Sequence, residues 1–147
     1  MTIPLFLIPI VAALTAQALK PVFSKAWRDD QATQLDPRPR YGGMPSAHAS
    51  FATSLALTVL FTEGVTSAAF AIAAVIFILV FDDALRLRIF LGRYGLAIRR
   101  LLEQDPAAAQ GLPPIEWRMG HTLPEVLVGT LVGLLCTVLI LALDSGF

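Results

Sequence analysis

Apolar residues gather into four stretches, Thr2 to Leu19, Ala47 to Phe61, Val65 to Phe81 and Leu123 to Leu143, and the segments between them hold nearly all the charge. Each stretch is near the roughly 20 residues needed to cross hydrocarbon, the second being short. The pattern predicts an all-α integral membrane helical bundle with about four transmembrane spans. Thr62-Glu63-Gly64 leaves room only for a tight turn, which makes the second and third spans an antiparallel hairpin. From Asp82 to Glu103 arginine alternates with Leu, Ile and Phe, a pattern suited to a helix that lies at the interface or protrudes from the bilayer. Lys20 to Met44 reads as a short helix followed by an irregular loop, and Asp105 to Pro114 as a loop. Ile115 to Gly120 leads into the last span, whose helix is expected to begin near His121. With no internal repeat and no separate soluble segment, residues 1–147 read as a single membrane domain.

Composition agrees with the pattern. A hydrophobic fraction of 56% with only 15% charged residues is out of range for a small soluble domain. The first stretch lacks the basic leader of a signal peptide and reads as an uncleaved span. Cys136 is the single cysteine and reads as a small packing residue. Net charge is zero, but its distribution is informative: all 11 basic residues fall after the first span or between the third and fourth. Those two segments share one side of the bilayer, with Glu63, Asp144 and both termini on the other. The positive-inside rule makes the basic side cytoplasmic, in what is expected to be a bacterial inner membrane.

The 2 histidines each open an apolar segment, His48 after Gly42-Gly43-Met44-Pro45-Ser46-Ala47 and His121 before Thr122-Leu123-Pro124-Glu125. A carboxylate four residues after a histidine on one helix can hold the ring in one tautomer, which His121 and Glu125 fit. The other ring nitrogen is then free to attack. His48 beside a Pro-Ser turn fits a general acid next to an anion-binding helix start, with Ser46 meeting phosphate oxygens. Lys20, Arg88 and Arg118 are the nearest cations by topology for the charge of a phosphoryl group. Two stripes of small residues, His121/Glu125/Gly129/Gly133 and His48/Ala52/Ala56, are expected to pack together and bring the histidines toward each other.

These residues resemble the divergent branch of the phosphatidic acid phosphatase type 2 and vanadium-dependent haloperoxidase superfamily, over Ala16 to about Gly133. Gly42-Gly43-Met44-Pro45-Ser46-Ala47-His48-Ala49 is similar to that branch's Gly-Gly-Met-Pro-Ser-Ser-His-Ser. Gly120-His121-Thr122-Leu123-Pro124-Glu125-Val126 is similar to its Gly-His-Thr-Pro-x-Glu-Val, and Ala16-Gln17-Ala18-Leu19-Lys20 to its Ala-Gln-x-x-Lys. Phe81-Asp82-Asp83-Ala84, with Arg88 and Gly92, resembles its Tyr-Asp-Ala segment, Asp83 being the aligned aspartate. The resemblance implies that His121 attacks phosphorus, Glu125 orients it and His48 protonates the leaving alkoxide. It further implies that Lys20, Ser46 and Arg88 hold phosphate, that Asp83 has an orienting part, and that no metal or other cofactor is needed. Two departures stand out: Ile115 occupies the place of the superfamily's arginine six residues before the nucleophile, and Ala47 that of a serine. Arg88 therefore ranks above Arg118 as the main phosphate ligand.

The expected activity is metal-independent hydrolysis of a lipid phosphomonoester or pyrophosphate headgroup. A cytoplasmic site favours a phosphatidylglycerophosphate- or phosphatidic-acid-type substrate over a prenyl (undecaprenyl) pyrophosphate. The partners expected are the lipid phosphate and the bilayer, without nucleic acid, and four short spans are compatible with a homo-oligomer. A different class is a non-enzymatic metal site or transporter using His48, His121 and Glu125 or Asp83, against which the nearby cations would act. A third is an inactive structural bundle.

Overall fold

The computed structural model describes residues 3–26, 43–105, 107–112 and 121–144. Among them, the elements are α1 (Leu7–Ala26), α2 (Ala47–Glu63), α3 (Ala68–Asp82), a π turn (Asp83–Leu87), α4 (Arg88–Gln104) and α5 (Leu123–Asp144), with no strand. α2 is the central helix, packed against α1, α3 and α5, while α1 also touches α5.

Local chemistry accounts for the element ends. Ser46 caps α2 by accepting the Ala49 N–H at 3.3 Å, and Ser67 caps α3 by accepting from Phe70 at 3.0 Å. Between them Gly64 takes φ 82°, and its N–H closes α2 on the Leu60 carbonyl at 3.1 Å. The hairpin expected from Thr62-Glu63-Gly64 is thus formed, with the second helix delayed to Ala68 by the Ser67 cap. The helix expected near His121 begins two residues later, at Leu123. Thr122 occupies its cap position and Pro124 its first turn, where a missing N–H costs nothing.

The interior is small and polar, the exterior large and apolar. On α5, Val126, Gly129, Gly133 and Thr137 are buried while Leu127, Leu131, Leu135 and Leu139 are exposed. α2 buries Ala49, Ser50, Ala52, Thr53, Ser54 and Thr58. Without a hydrophobic force between helices in lipid, close backbone approach and interhelical hydroxyl bonds hold such a bundle. The Ser50 hydroxyl donates to the Ala12 carbonyl of α1 at 2.9 Å, and the Ser54 and Thr137 hydroxyls join α2 to α5 at 2.7 Å.

The helix-packing register differs from the expected one. Gly129 lies against the backbone of Ser46, and Gly133 against that of Ser50, so closely that a Cβ at either glycine would collide with the carbonyl oxygen. The stripe of α2 that meets the glycines is therefore Ser46/Ser50/Ser54, not His48/Ala52/Ala56. Among the described residues, two helices are long and apolar enough to cross a membrane, Ala68–Gln104 and Leu123–Asp144; the apolar run Leu7–Phe23 of α1 and the 17-residue α2 are shorter. The third apolar stretch and the arginine-rich segment form one continuous helix of 37 residues. At 1.5 Å per residue that is about 55 Å, against a hydrocarbon thickness of about 30 Å, so α4 extends beyond it.

Candidate active site

One end of the bundle collects the late part of α1, the starts of α2 and α5, and the π turn after α3. The buried face of α1 runs Ile8, Ala12, Ala16. Lys20 is the next position of that four-residue repeat, half-buried, and its ammonium feels the charge of Glu125. The α1 stripe thus delivers the lysine to the foot of α5.

His121 precedes the cap of α5 and is only 6% exposed. Its Nδ1 lies 3.1 Å from Glu125 Oε2, and the same oxygen accepts the Thr122 N–H at 2.9 Å. Thr122 and Glu125 thereby form half of a capping box, in which the carboxylate at the third helical position reaches back to the cap amide. The expected pairing of His121 with Glu125 is present, although it spans a capping turn and not a helix face. The Thr-x-x-Glu signature before an apolar run was a readable signal for this geometry.

Two further bonds fix the pair. The His121 N–H donates to the Ala84 carbonyl in the π turn at 3.2 Å, and the Ser46 N–H donates to the Glu125 carbonyl at 3.0 Å. Ser46 is fully buried, its oxygen occupied by the cap to Ala49, so its amide is committed to α5. Its O–H proton still has a donor's choice of partner. Gly43, with φ 91°, and the cis Met44–Pro45 peptide lead the chain into this cap.

The remaining expected residues fall as follows. His48 is exposed, in the first turn of α2 two residues beyond Ser46, and so does not share the buried environment of His121. Asp83 opens the π turn next to Ala84, and Arg88 opens α4 directly after it. The side chain of Arg88 and all of Arg118 lie outside the described residues. Among the described residues, no three His, Cys, Asp or Glu side chains are grouped as metal ligands would be. The Ala84 carbonyl is the contact that motif reading missed, since a backbone acceptor leaves no trace in residue type.

This is a helical membrane protein with a buried histidine paired to a part-buried carboxylate at one end of its bundle. The chain belongs to the Divergent PAP2 family, whose model matches residues 1–136. Every motif segment that carries the resemblance falls inside that range. The chain is similar to "Uncharacterized membrane protein YuiD" of Bacillus subtilis (strain 168), at 29% identity over 111 residues, covering 67% of this chain and 70% of the relative. No solved structure matches it.

Proposed function

We propose that the protein is a metal-independent membrane lipid phosphatase that works through a phosphohistidine on His121. The observation that carries this reading is the 3.1 Å contact between the buried His121 ring and the part-buried Glu125 carboxylate. An ionised carboxylate only accepts, so Nδ1 carries the proton and Nε2 keeps its lone pair for attack. Nε2 forms a bond to phosphorus as the P–O bond to the leaving alkoxide breaks, and His48 supplies the proton to that oxygen. Water then attacks the phosphohistidine, gives its proton to His48 and releases inorganic phosphate.

Lys20, Ser46, Arg88 and Arg118 are the proposed phosphate contacts, and Asp83 the orienting carboxylate beside them. The starts of α2 and α5 meet at this end of the bundle, joined by the Ser46–Glu125 backbone bond, and their positive dipole ends favour an anion. A four-span arrangement with the site on the cytoplasmic face favours a headgroup made on the inner leaflet, of the phosphatidylglycerophosphate or phosphatidic acid type. Prenyl pyrophosphate is the competing substrate.

A panel of these lipids in detergent micelles, assayed for phosphate release, tests the proposal. Activity should persist in chelator, fall with vanadate, which mimics five-coordinate phosphorus, and vanish in His121→Ala. Activity lost to chelator, or retained by His121→Ala, would overturn it.

A further inference from the structure

The π turn Asp83–Leu87 interrupts an otherwise continuous helix, and the catalytic scheme above uses only the Asp83 side chain from it, giving the turn itself no part. Such turns hold one residue more than an α turn, bond from i to i+5, and occur frequently at functional sites. Nothing local demands this one: Asp83-Ala84-Leu85-Arg86-Leu87 has neither glycine nor proline and contains good helix formers. Its cause therefore lies in tertiary contacts.

Ala84 is 2% exposed and belongs to a buried cluster with Ala49 of α2 and Val126 of α5. Its carbonyl accepts the backbone N–H of His121 at 3.2 Å. In an unbroken α-helix that carbonyl would be committed to the N–H four residues on. Widening the turn breaks the i+4 ladder and makes a carbonyl available to another segment. The register matters as well. Positions 83 and 88 would lie about 140° apart around an α-helix, at 100° per residue. Bonding from i to i+5 instead brings the fifth residue back over the first, so the π turn sets positions 83 and 88 on one face.

We propose that the π turn is a positioning device for the active site. Its Ala84 carbonyl anchors the backbone of His121 while Glu125 anchors the ring, and its extra residue sets Asp83 and Arg88 in common register. Ala84 is thus a positioning residue that acts through His121. The geometry stands on the hydrogen bond, and the catalytic consequence rests on the phosphatase reading.

Deletion of Arg86, an exposed residue of the turn, shortens it to α-helical length and retains Ala84 and Leu85. Ala84→Leu keeps the chain length and pushes the turn off Ala49 and Val126. Because the chain has 2 histidines, ¹⁵N-histidine labelling of the full-length protein in micelles yields one amide signal for each, assigned with His48→Gln. In both variants the His121 amide should exchange at least about tenfold faster than in the wild type, since it loses its acceptor. A reacting group displaced by about 1 Å costs on the order of 10²-fold, so kcat should fall by about that factor with KM nearly unchanged. Unchanged exchange at His121 in the folded variants, or unchanged kcat, would overturn the proposal. If the deletion does not fold, Ala84→Leu decides by the same two readouts. If the wild type releases no phosphate from any lipid, the phosphatase reading fails, and amide exchange still decides whether the turn holds His121.

Discussion

Glu125 serves two donors with one oxygen, the cap amide of Thr122 and the ring of His121. In the proposed mechanism this economy couples folding to chemistry: the group that caps α5 would also select the histidine tautomer. Glu125→Gln separates the two effects. Glutamine serves the third position of a capping box nearly as well, so the thermal midpoint should change little. The charge that would stabilise a cationic ring is lost, and the amide can present its NH₂ to Nδ1 and favour the wrong tautomer. Replacing the orienting carboxylate of a catalytic triad by an amide costs about 10⁴, so kcat for lipid phosphate should fall by roughly 10²- to 10⁴-fold. Rates within tenfold of the wild type, with an unchanged midpoint, would deny Glu125 its orienting part. The His121–Glu125 contact was legible in the sequence, because a carboxylate four residues after a histidine lies within its reach and only 2 histidines are present. The Ala84 acceptor was not, since every residue carries a carbonyl.

At the scale of elements, Gly129 and Gly133 let α5 approach α2 to backbone contact. Gly129→Ala sets two terms in opposition. Alanine gains about 1 kcal/mol of helix propensity over glycine, whereas forcing a methyl into a filled contact costs about 1–3 kcal/mol. The obstacle at Gly129 is the Ser46 carbonyl, which already accepts the Ser50 N–H at 3.0 Å and cannot swing aside. Packing should therefore win: Gly129→Ala is expected to lower the thermal midpoint in detergent, and Gly133→Leu to abolish folding, as read by thermal unfolding and gel filtration. An unchanged midpoint in both variants would mean the two helices are not in this register. The GxxxG spacing was readable, but its partner face was not. α2 carries small residues on several faces, including Ala49, Ala52, Ser50 and Ser54, all buried. Which face meets α5 depends on how α1, α3 and α5 share one helix, and that is set by packing, not by periodicity. The π turn escaped for a related reason: it shifts the helical phase by one residue, below what an apolar run can resolve.

For the whole molecule, the two ends of the bundle differ in kind. At one end the Ile3 N–H donates to Asp144 Oδ1 at 3.3 Å, tying the beginning of the described chain to the end of α5. At the other lie His121, Ser46, Lys20 and the π turn, and along the sequence all 11 basic residues follow the first apolar stretch or fall between the third and fourth. An even number of crossings follows if every helix of the bundle spans, because the chain then returns to the side from which it started. Carrying arginine or lysine through hydrocarbon costs about 2.5–3.5 kcal/mol each on insertion scales, and the bias acts on loops as short as these. The basic end should therefore face the cytoplasm, and Glu63 at the tip of the α2–α3 hairpin should face away from it. In a Cys136→Ser background, cysteine placed at Glu63 should react with a membrane-impermeant maleimide on intact cells. Cysteine at Gln104, the end of α4, should react only after permeabilisation. Both positions are exposed, so neither failure can be ascribed to burial. Labelling of both from the same side would leave an even number of crossings between them, inconsistent with α3 as a single span. The reverse pattern would keep the bundle but move the site outside, and with it the substrate preference toward prenyl pyrophosphate.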